Sequence, residues 1–382
     1  MRTYPIALRD LTGWATGQGN SLNSSKRFLL LPICGLGDAV CYLPFLRALR
    51  MRFPEAEIVV VVSTEPAKTI IKDGSSGIEV IVFNRGQQRG WLVPLRLLSA
   101  LRRRRFDVVI SGAHPNSLRV PLLAALCGAK LRIGASYERL RVVYNRTVNV
   151  RTDAHVFERN RKLLTGMGIE MSSDEYRPIL EPPREARDSA LRLWMEAGLA
   201  GAGCVIGMAS GADSNVRKGY NPSLKRWNVE GYAEVARWVT GQAGARVAMF
   251  GGPEEAPLAA AIAAISGVPI VDFCGKAGVR ADQWLLRKCR ALVTNDTGTM
   301  HMAVALGTPV VALFGPTSPD SFGPRGGRDR VVQGKVACSP CYPRPTCDLR
   351  GCLAMDAISP RQVIQCLSGL LNIPARAAVS PD

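Results

Sequence analysis

The sequence predicts an α/β protein made of two doubly wound, parallel-sheet domains, and three observations carry the prediction. Short apolar runs that read as buried strands alternate with longer segments of helical periodicity. The alternation breaks once, over Asp174 to Pro183 with its Glu181-Pro182-Pro183, and then restarts. The chain has 382 residues, too many for one ordinary core and natural for two.

In the first half, Phe28 to Ile33 reads as a strand, and Asp38 to Arg50 as an amphipathic helix with Val40, Leu43, Leu46 and Leu49 on one side. Strands are expected over Glu57 to Ser63 and Val80 to Phe83, then a helix over Leu92 to Arg104. A strand over Phe106 to Ser111, a helix over Leu118 to Cys127 and a short strand over Leu131 to Gly134 follow. In the second half, helices are expected over Arg184 to Gly198, Val229 to Gly241 (Trp238 inward), Glu254 to Ala264 and Pro360 to Leu371. Strands are expected over Cys204 to Met208, Ala245 to Phe250 and Ile270 to Phe273. Each half is then Rossmann-like. The boundaries predicted are a polar arm over 1–25, domains over 26–180 and 184–359, and a C-terminal helix and tail over 360–382.

Apolar content of 47% and charged content of 21% mark a globular chain. No apolar run approaches the ~20 residues that span a bilayer. Residues 1–25 lack the apolar core of a signal peptide, so a cytoplasmic location is expected. Most of the eleven cysteines sit singly in apolar runs, as reduced thiols do. The net charge of +18 is lopsided, with +13 in residues 1–150 and +5 in the rest. The run Arg102-Arg103-Arg104-Arg105 should draw polyanions such as anionic headgroups, a phosphorylated glycolipid or nucleic acid, unless it is merely a solvated basic face.

The most informative stretch is Val293 to Pro316. Ala291 to Thr294 reads as a buried strand, and Asn295-Asp296-Thr297-Gly298 as a polar turn with a helix N-cap. Thr299 to Leu306 reads as a small-residue helix closed by Gly307, and Pro309 to Phe314 as a second buried strand. This geometry offers unpaired N–H groups and a positive dipole end to an anion such as a diphosphate.

The stretch closely resembles the signature of glycosyltransferase family 9, whose best-known members are the ADP-heptose:lipopolysaccharide heptosyltransferases. Leu29-Leu30-Leu31-Pro32-Ile33-Cys34-Gly35-Leu36-Gly37-Asp38, with Pro44 and Leu49-Arg50, is similar to the family's N-terminal strand and Gly-Asp loop. Gly211-Ala212 and Lys225-Arg226-Trp227 resemble its phosphate-side Lys-x-Trp segment, and Phe250 to Glu255 its strand-end loop. The resemblance implies the GT-B fold, two Rossmann-like domains facing a cleft. It also implies a metal-independent inverting transferase, with no cofactor required. The sugar, heptose in those members, would pass from an ADP-activated donor to a lipopolysaccharide-core or related glycolipid. The enzyme would be peripheral at the inner face of the inner membrane.

Asp38 lies at the carboxyl edge of the first strand, where a carboxylate can take the acceptor's proton, the role the resemblance gives it. The competing reading is a helix N-cap. Lys225 is implied to stabilise the departing diphosphate, with Arg226 and Lys218 as competing cations. Thr297 and Gly298 are expected to bind the donor's diphosphate, and Asp296 to accept from sugar hydroxyls or to orient the loop. His301, near the start of that helix, would be held neutral and donate to a phosphate or sugar oxygen. An acidic residue in the region of Glu255 (or Glu254) contacts the nucleoside in the family; helix capping is the alternative. Arg102, Arg103, Arg104 and Arg105 are candidates for the acceptor.

Cys338, Cys341, Cys347 and Cys352 could enclose a structural zinc, although the second pair lacks the usual spacing. No Asp-x-Asp pair is present to hold Mg²⁺ beside a diphosphate. Two readings of other classes remain at this point. An NAD enzyme would need a third glycine, where Val40 stands, although Glu55 and Glu57 lie at the distance of a ribose partner. A nucleic-acid-binding protein would account for the charge but not for the Asp296 segment, and no nucleic acid is expected.

Overall fold

The computed structural model describes residues 25–83, 92–112, 119–136, 141–212, 222–341 and 351–373. The expected N-terminal arm, Lys218 and Cys347 lie outside them. The chain divides into two compact units, Met1–Ile179 and Leu180–Asp382.

The first unit runs β1 (Arg27–Leu31), α1 (Leu36–Arg52), β2 (Glu57–Val62), α2 (Glu65–Gly74), β3 (Ile78–Val82) and α3 (Leu92–Arg103). It continues through β4 (Val108–Ser111), α4 (Arg119–Leu126), β5 (Leu131–Ala135), a 3₁₀ turn (Arg141–Val143), β6 (Arg146–Val148) and α5 (Val156–Thr165). All pairings are parallel, in the order β3-β2-β1-β4-β5-β6. The central register sets Leu29 between Val59 and Val109. Because the order reverses between β1 and β4, a crevice opens at their carboxyl ends.

Helix α1 departs from the amphipathic expectation. Val40, Cys41, Tyr42, Leu43, Pro44, Phe45, Leu46, Ala48 and Leu49 are all buried, because α2 and α5 flank the helix as well as the sheet. A helix apolar all round belongs inside. At its C-terminus Arg50 donates to the carbonyls of Pro54, Ala56 and Gly77 at 2.8, 2.8 and 2.6 Å. Helix α2, which the periodicity missed, starts where Thr64 Oγ1 accepts from Ala67 N at 3.2 Å.

In the second unit, a 3₁₀ turn (Arg184–Ala186) leads into α6 (Arg187–Glu196), then β7 (Val205–Ala209), α7 (Val229–Gly241), β8 (Arg246–Met249) and α8 (Ala256–Ser266). There follow β9 (Ile270–Asp272), α9 (Gly278–Lys288), β10 (Ala291–Asn295), α10 (Gly298–Ala305), β11 (Val310–Phe314), β12 (Arg330–Gln333) and α11 (Pro360–Leu371). The parallel sheet has the order β9-β8-β7-β10-β11-β12, the same winding as the first. Its switch point lies between β7 and β10. Helix α11 packs on α7 and β12 and shares their core through Val363 and Leu367, so it is part of this unit and not an appendage.

Helix α9 holds a half-buried aspartate, Asp282, with one carboxyl oxygen shut off from solvent. Among the described residues this oxygen, Oδ1, has no hydrogen-bond partner, and burial pushes the carboxyl pKa up to about 7. With the folded value above the unfolded one, stability is full below the unfolded pKa of about 4 and is lost as pH rises through about 7. Asp282→Asn should therefore be more stable than the parent at pH 8, by up to about 4 kcal/mol from the size of the shift. The gap should close towards pH 4. Urea denaturation at both pH values measures it, and a gap independent of pH would contradict the assignment.

Candidate active site

The donor-side candidates gather at the switch point of the second sheet, and the reason can be followed from β10 outward. Asn295 ends that strand with no solvent exposure. Its Nδ2 donates to the carbonyls of Ser210 and Gly211, each at 2.9 Å. Its Oδ1 takes the Trp227 backbone N–H at 3.3 Å and lies 3.0 Å from the Tyr232 hydroxyl, whose proton can go there or to the Ala209 carbonyl. One amide thus ties β10 to the end of β7 and to the start of α7.

Trp227 explains the spacing of Lys225 and Trp227. Its indole N–H donates to Ile358 O at 3.0 Å, and its ring meets Tyr232 edge-on at 5.1 Å. It lies so close to α7 that a Cβ on Gly231 would come within 2.4 Å of the ring. With the tryptophan wedged into the core, the lysine two residues earlier has little freedom. Lys225 Nζ sits 2.9 Å from Asp296 Oδ2, and both side chains are largely buried. Burial alone would raise the Asp296 carboxyl, but the Lys225 ammonium, His301 and the Thr317 hydroxyl outweigh it and hold it below the usual carboxylate range.

Thr297 is the N-cap of α10 in extended conformation, yet its side chain makes no capping bond. Among the described residues, Thr297 thus leaves the first-turn N–H groups of that helix open to another acceptor. Thr297 Oγ1 is instead 3.3 Å from Thr294 Oγ1. Gly298 opens the helix and His301, buried, lies one turn in. Glu255 approaches from β8. It accepts the Gly252 N–H at 2.7 Å and faces Arg226 at 3.9 Å. A Cβ on Gly211 would meet it at 2.6 Å. Burial and the neighbouring Glu254 push its pKa up, against the opposing pull of Gly252 N–H and Arg226.

The residues missed from sequence are Asn295, Tyr232, Ser210 and Thr317. A signal existed for Asn295, a polar residue directly continuing a buried apolar strand. Ser210 is buried with its hydroxyl unpartnered among the described residues.

The sequence profile of glycosyltransferase family 9 (heptosyltransferase) matches residues 94–349, well over half of the chain. The chain belongs to glycosyltransferase family 9.

Lipooligosaccharide heptosyltransferase 2 of Haemophilus influenzae is 30% identical over 165 residues, 41% of this chain, and the match spans 45% of that relative. Lipopolysaccharide heptosyltransferase 2 of Salmonella typhimurium is 26% identical over 317 residues, 80% of this chain and 88% of that one. The crystal structure of a family 9 glycosyl transferase from Veillonella parvula superposes with a TM-score of 0.71 at 25% identity, covering 91% of this chain and 97% of that one. With two parallel-sheet α/β units and these neighbours, the transferase has the GT-B fold.

In the first unit of the transferase, Asp38 lies in the first turn of α1, at the carboxyl edge and half-buried. The N-cap of α1 is Gly35, so the capping reading of Asp38 does not hold. Among the described residues its carboxylate makes no hydrogen bond or ion pair. The loop before it is strained. Ile33 has φ +39°, which for a β-branched residue costs of order 1–3 kcal/mol. Two backbone bonds to the end of β2 hold it there, Ile33 N to Val61 O and Ser63 N to Cys34 O, each 3.0 Å.

Arg102 to Arg105 are not brought to Asp38. They end α3 and precede β4, at the amino edge of the sheet, because a helix following a parallel strand runs back antiparallel to it. Arg104 is committed to Glu79 through bonds of 2.6 and 2.7 Å. The zinc expectation finds no support either. Cys338 is exposed, Cys341 and Cys352 half-buried, and among the described residues no three His, Cys, Asp or Glu side chains gather to hold a metal.

Proposed function

We propose that the protein transfers a heptose from an ADP-activated donor to a lipopolysaccharide-core or related glycolipid, without a metal and with inversion at the anomeric carbon. The observation that carries the donor side is the buried Lys225–Asp296 pair beside the uncapped start of α10. In this reading the ammonium and the α10 N–H groups receive the diphosphate, so its leaving charge meets donors already fixed in place. Asp296 then orients Lys225 and accepts from sugar hydroxyls. His301 donates to a phosphate or sugar oxygen, and Glu255 reaches the nucleoside. Asp38 takes the acceptor proton; its uncommitted carboxylate supports that role. The acceptor belongs to the inner face of the inner membrane, where the enzyme works as a peripheral protein. No described helix is long and apolar enough to cross a membrane.

The test is a transfer assay with EDTA present, using ADP-heptose and a lipopolysaccharide truncated before its heptose. It runs beside thermal melts with ADP, UDP and GDP. Transfer, together with stabilisation by ADP alone of about 2.7 kcal/mol at a hundredfold excess over Kd, is the expected result. Preference for UDP or GDP would replace the donor, and loss of transfer in EDTA would end the metal-free reading.

A further inference from the structure

We propose that the outer surface of α3, α4 and the Arg141–Val143 turn is a docking face for an anionic bilayer; it builds on the glycolipid acceptor proposed above. The three elements pack side by side on one face of the first sheet. Leu101, Val120, Ala124 and Tyr144 point into the core beneath them. Their outward sides are not polar. Leu95, Leu122, Leu126 and Val142 stand 49, 47, 48 and 86% exposed. These are four of the ten large apolar side chains exposed among the described residues, crowded onto elements that make up only 23 residues. Leu122 and Leu126, one helical turn apart, form a continuous ridge. Clustered apolar exposure on a soluble surface marks an interaction site.

The charge on the same elements selects the partner. Arg96, Arg102, Arg103, Arg105 and Arg141 are exposed, and none of them is paired with a carboxylate among the described residues. The three elements contain no Asp or Glu. From Asn84 to Tyr137 the sole acidic residue is Asp107, and its carboxylate is taken up by the Lys26 and Arg27 N–H groups at 2.8 and 3.0 Å. Aliphatic side chains interleaved with guanidinium groups that face no carboxylate among the described residues match a headgroup layer over acyl chains. The leucines enter the apolar boundary while the arginine stems snorkel to phosphates. Nucleic acid fits less well. It would gain nothing from a leucine ridge, and these elements carry no aromatic ring on which a base could stack.

The placement also suits the reaction. Helices α3 and α4 leave the sheet at the carboxyl ends of β3 and β4, so Leu95 and Leu122, in their first turns, lie towards the edge that carries Asp38. Leu95 and Leu122 thus share the carboxyl edge with the proton acceptor, while Arg102, Arg103 and Arg105 extend the face to the opposite edge.

Sedimentation of the full chain with vesicles of phosphatidylcholine, with and without phosphatidylglycerol, tests the proposal. Leu122→Glu/Leu126→Glu removes the ridge and Arg96→Glu/Arg141→Glu the charge. Both pairs are exposed, and an unchanged melting temperature and ADP shift would confirm folding. The expected result is binding that depends on phosphatidylglycerol, is weakened by salt, and falls about tenfold or more in each double variant. Equal binding by either variant, indifference to phosphatidylglycerol, or preferential capture by duplex DNA would overturn it. Transfer to a delipidated, soluble acceptor separates the two ideas. If that transfer persists while vesicles are ignored, the docking face is wrong and the activity stands. If vesicles bind but no acceptor is used, the activity is wrong and the docking face stands.

Discussion

Lys225→Ala should lower kcat for transfer by about 10²–10³-fold, the loss typical of one fixed donor to a developing anion. It should also destabilise the fold by about 3–5 kcal/mol, because it leaves a buried carboxylate without its partner. The two effects separate by pH. In the parent, Asp296 has a depressed pKa, so its contribution is present above the unfolded value and is lost as pH falls through the folded one. In the variant burial is opposed only by His301 and Thr317, the carboxyl is expected to shift upward, and the sign reverses. The destabilisation should be greatest at pH 8 and shrink towards pH 4. Removing both charges with Lys225→Met/Asp296→Leu should cost less stability than Lys225→Ala alone, yet restore no transfer. Urea denaturation at two pH values and steady-state kinetics measure all of this. A variant with full activity would remove Lys225 from the diphosphate role.

Asp38→Asn should lower kcat by about 10²–10⁴-fold, the range for loss of a positioned general base, while donor binding stays as it was. The side chain neither caps α1 nor pairs with any described group. Stability should therefore change by less than about 2 kcal/mol, the most that a first-turn charge contributes at a partly buried helix start. ADP-dependent melting and single-turnover transfer together make the comparison. Retained transfer, or a fold weakened in proportion to the lost activity, would refute the assignment to Asp38.

The doubly wound architecture was legible because parallel strands buried on both faces read as unbroken apolar runs, such as Ile58 to Val62 and Val310 to Phe314. Elements with mixed faces were not. Helix α9 carries Arg280, Asp282, Gln283 and Arg287 among its apolar residues, and β12 is a short edge strand with two exposed positions. Proximity was the second gap. The sequence contains Lys225 and Asp296 as candidates 71 positions apart, but nothing local reveals that they pair. That follows from Trp227 being pinned by residues as distant as Ile358. Arg102 to Arg105 misled for the opposite reason. Their density suggested an acceptor site, whereas chain direction sets them at the far edge of the sheet.

The anchoring of Asn295 and Trp227 bears on how a nucleotide would be received. Residues on mobile loops must be ordered by their ligand, and part of the interaction energy is then consumed in arresting them. Here the ammonium and the strand end are fastened to the same apolar interior that keeps the sheet folded. A visiting diphosphate would meet a rigid socket, and the geometry of the leaving group would be set before the sugar is ever cleaved.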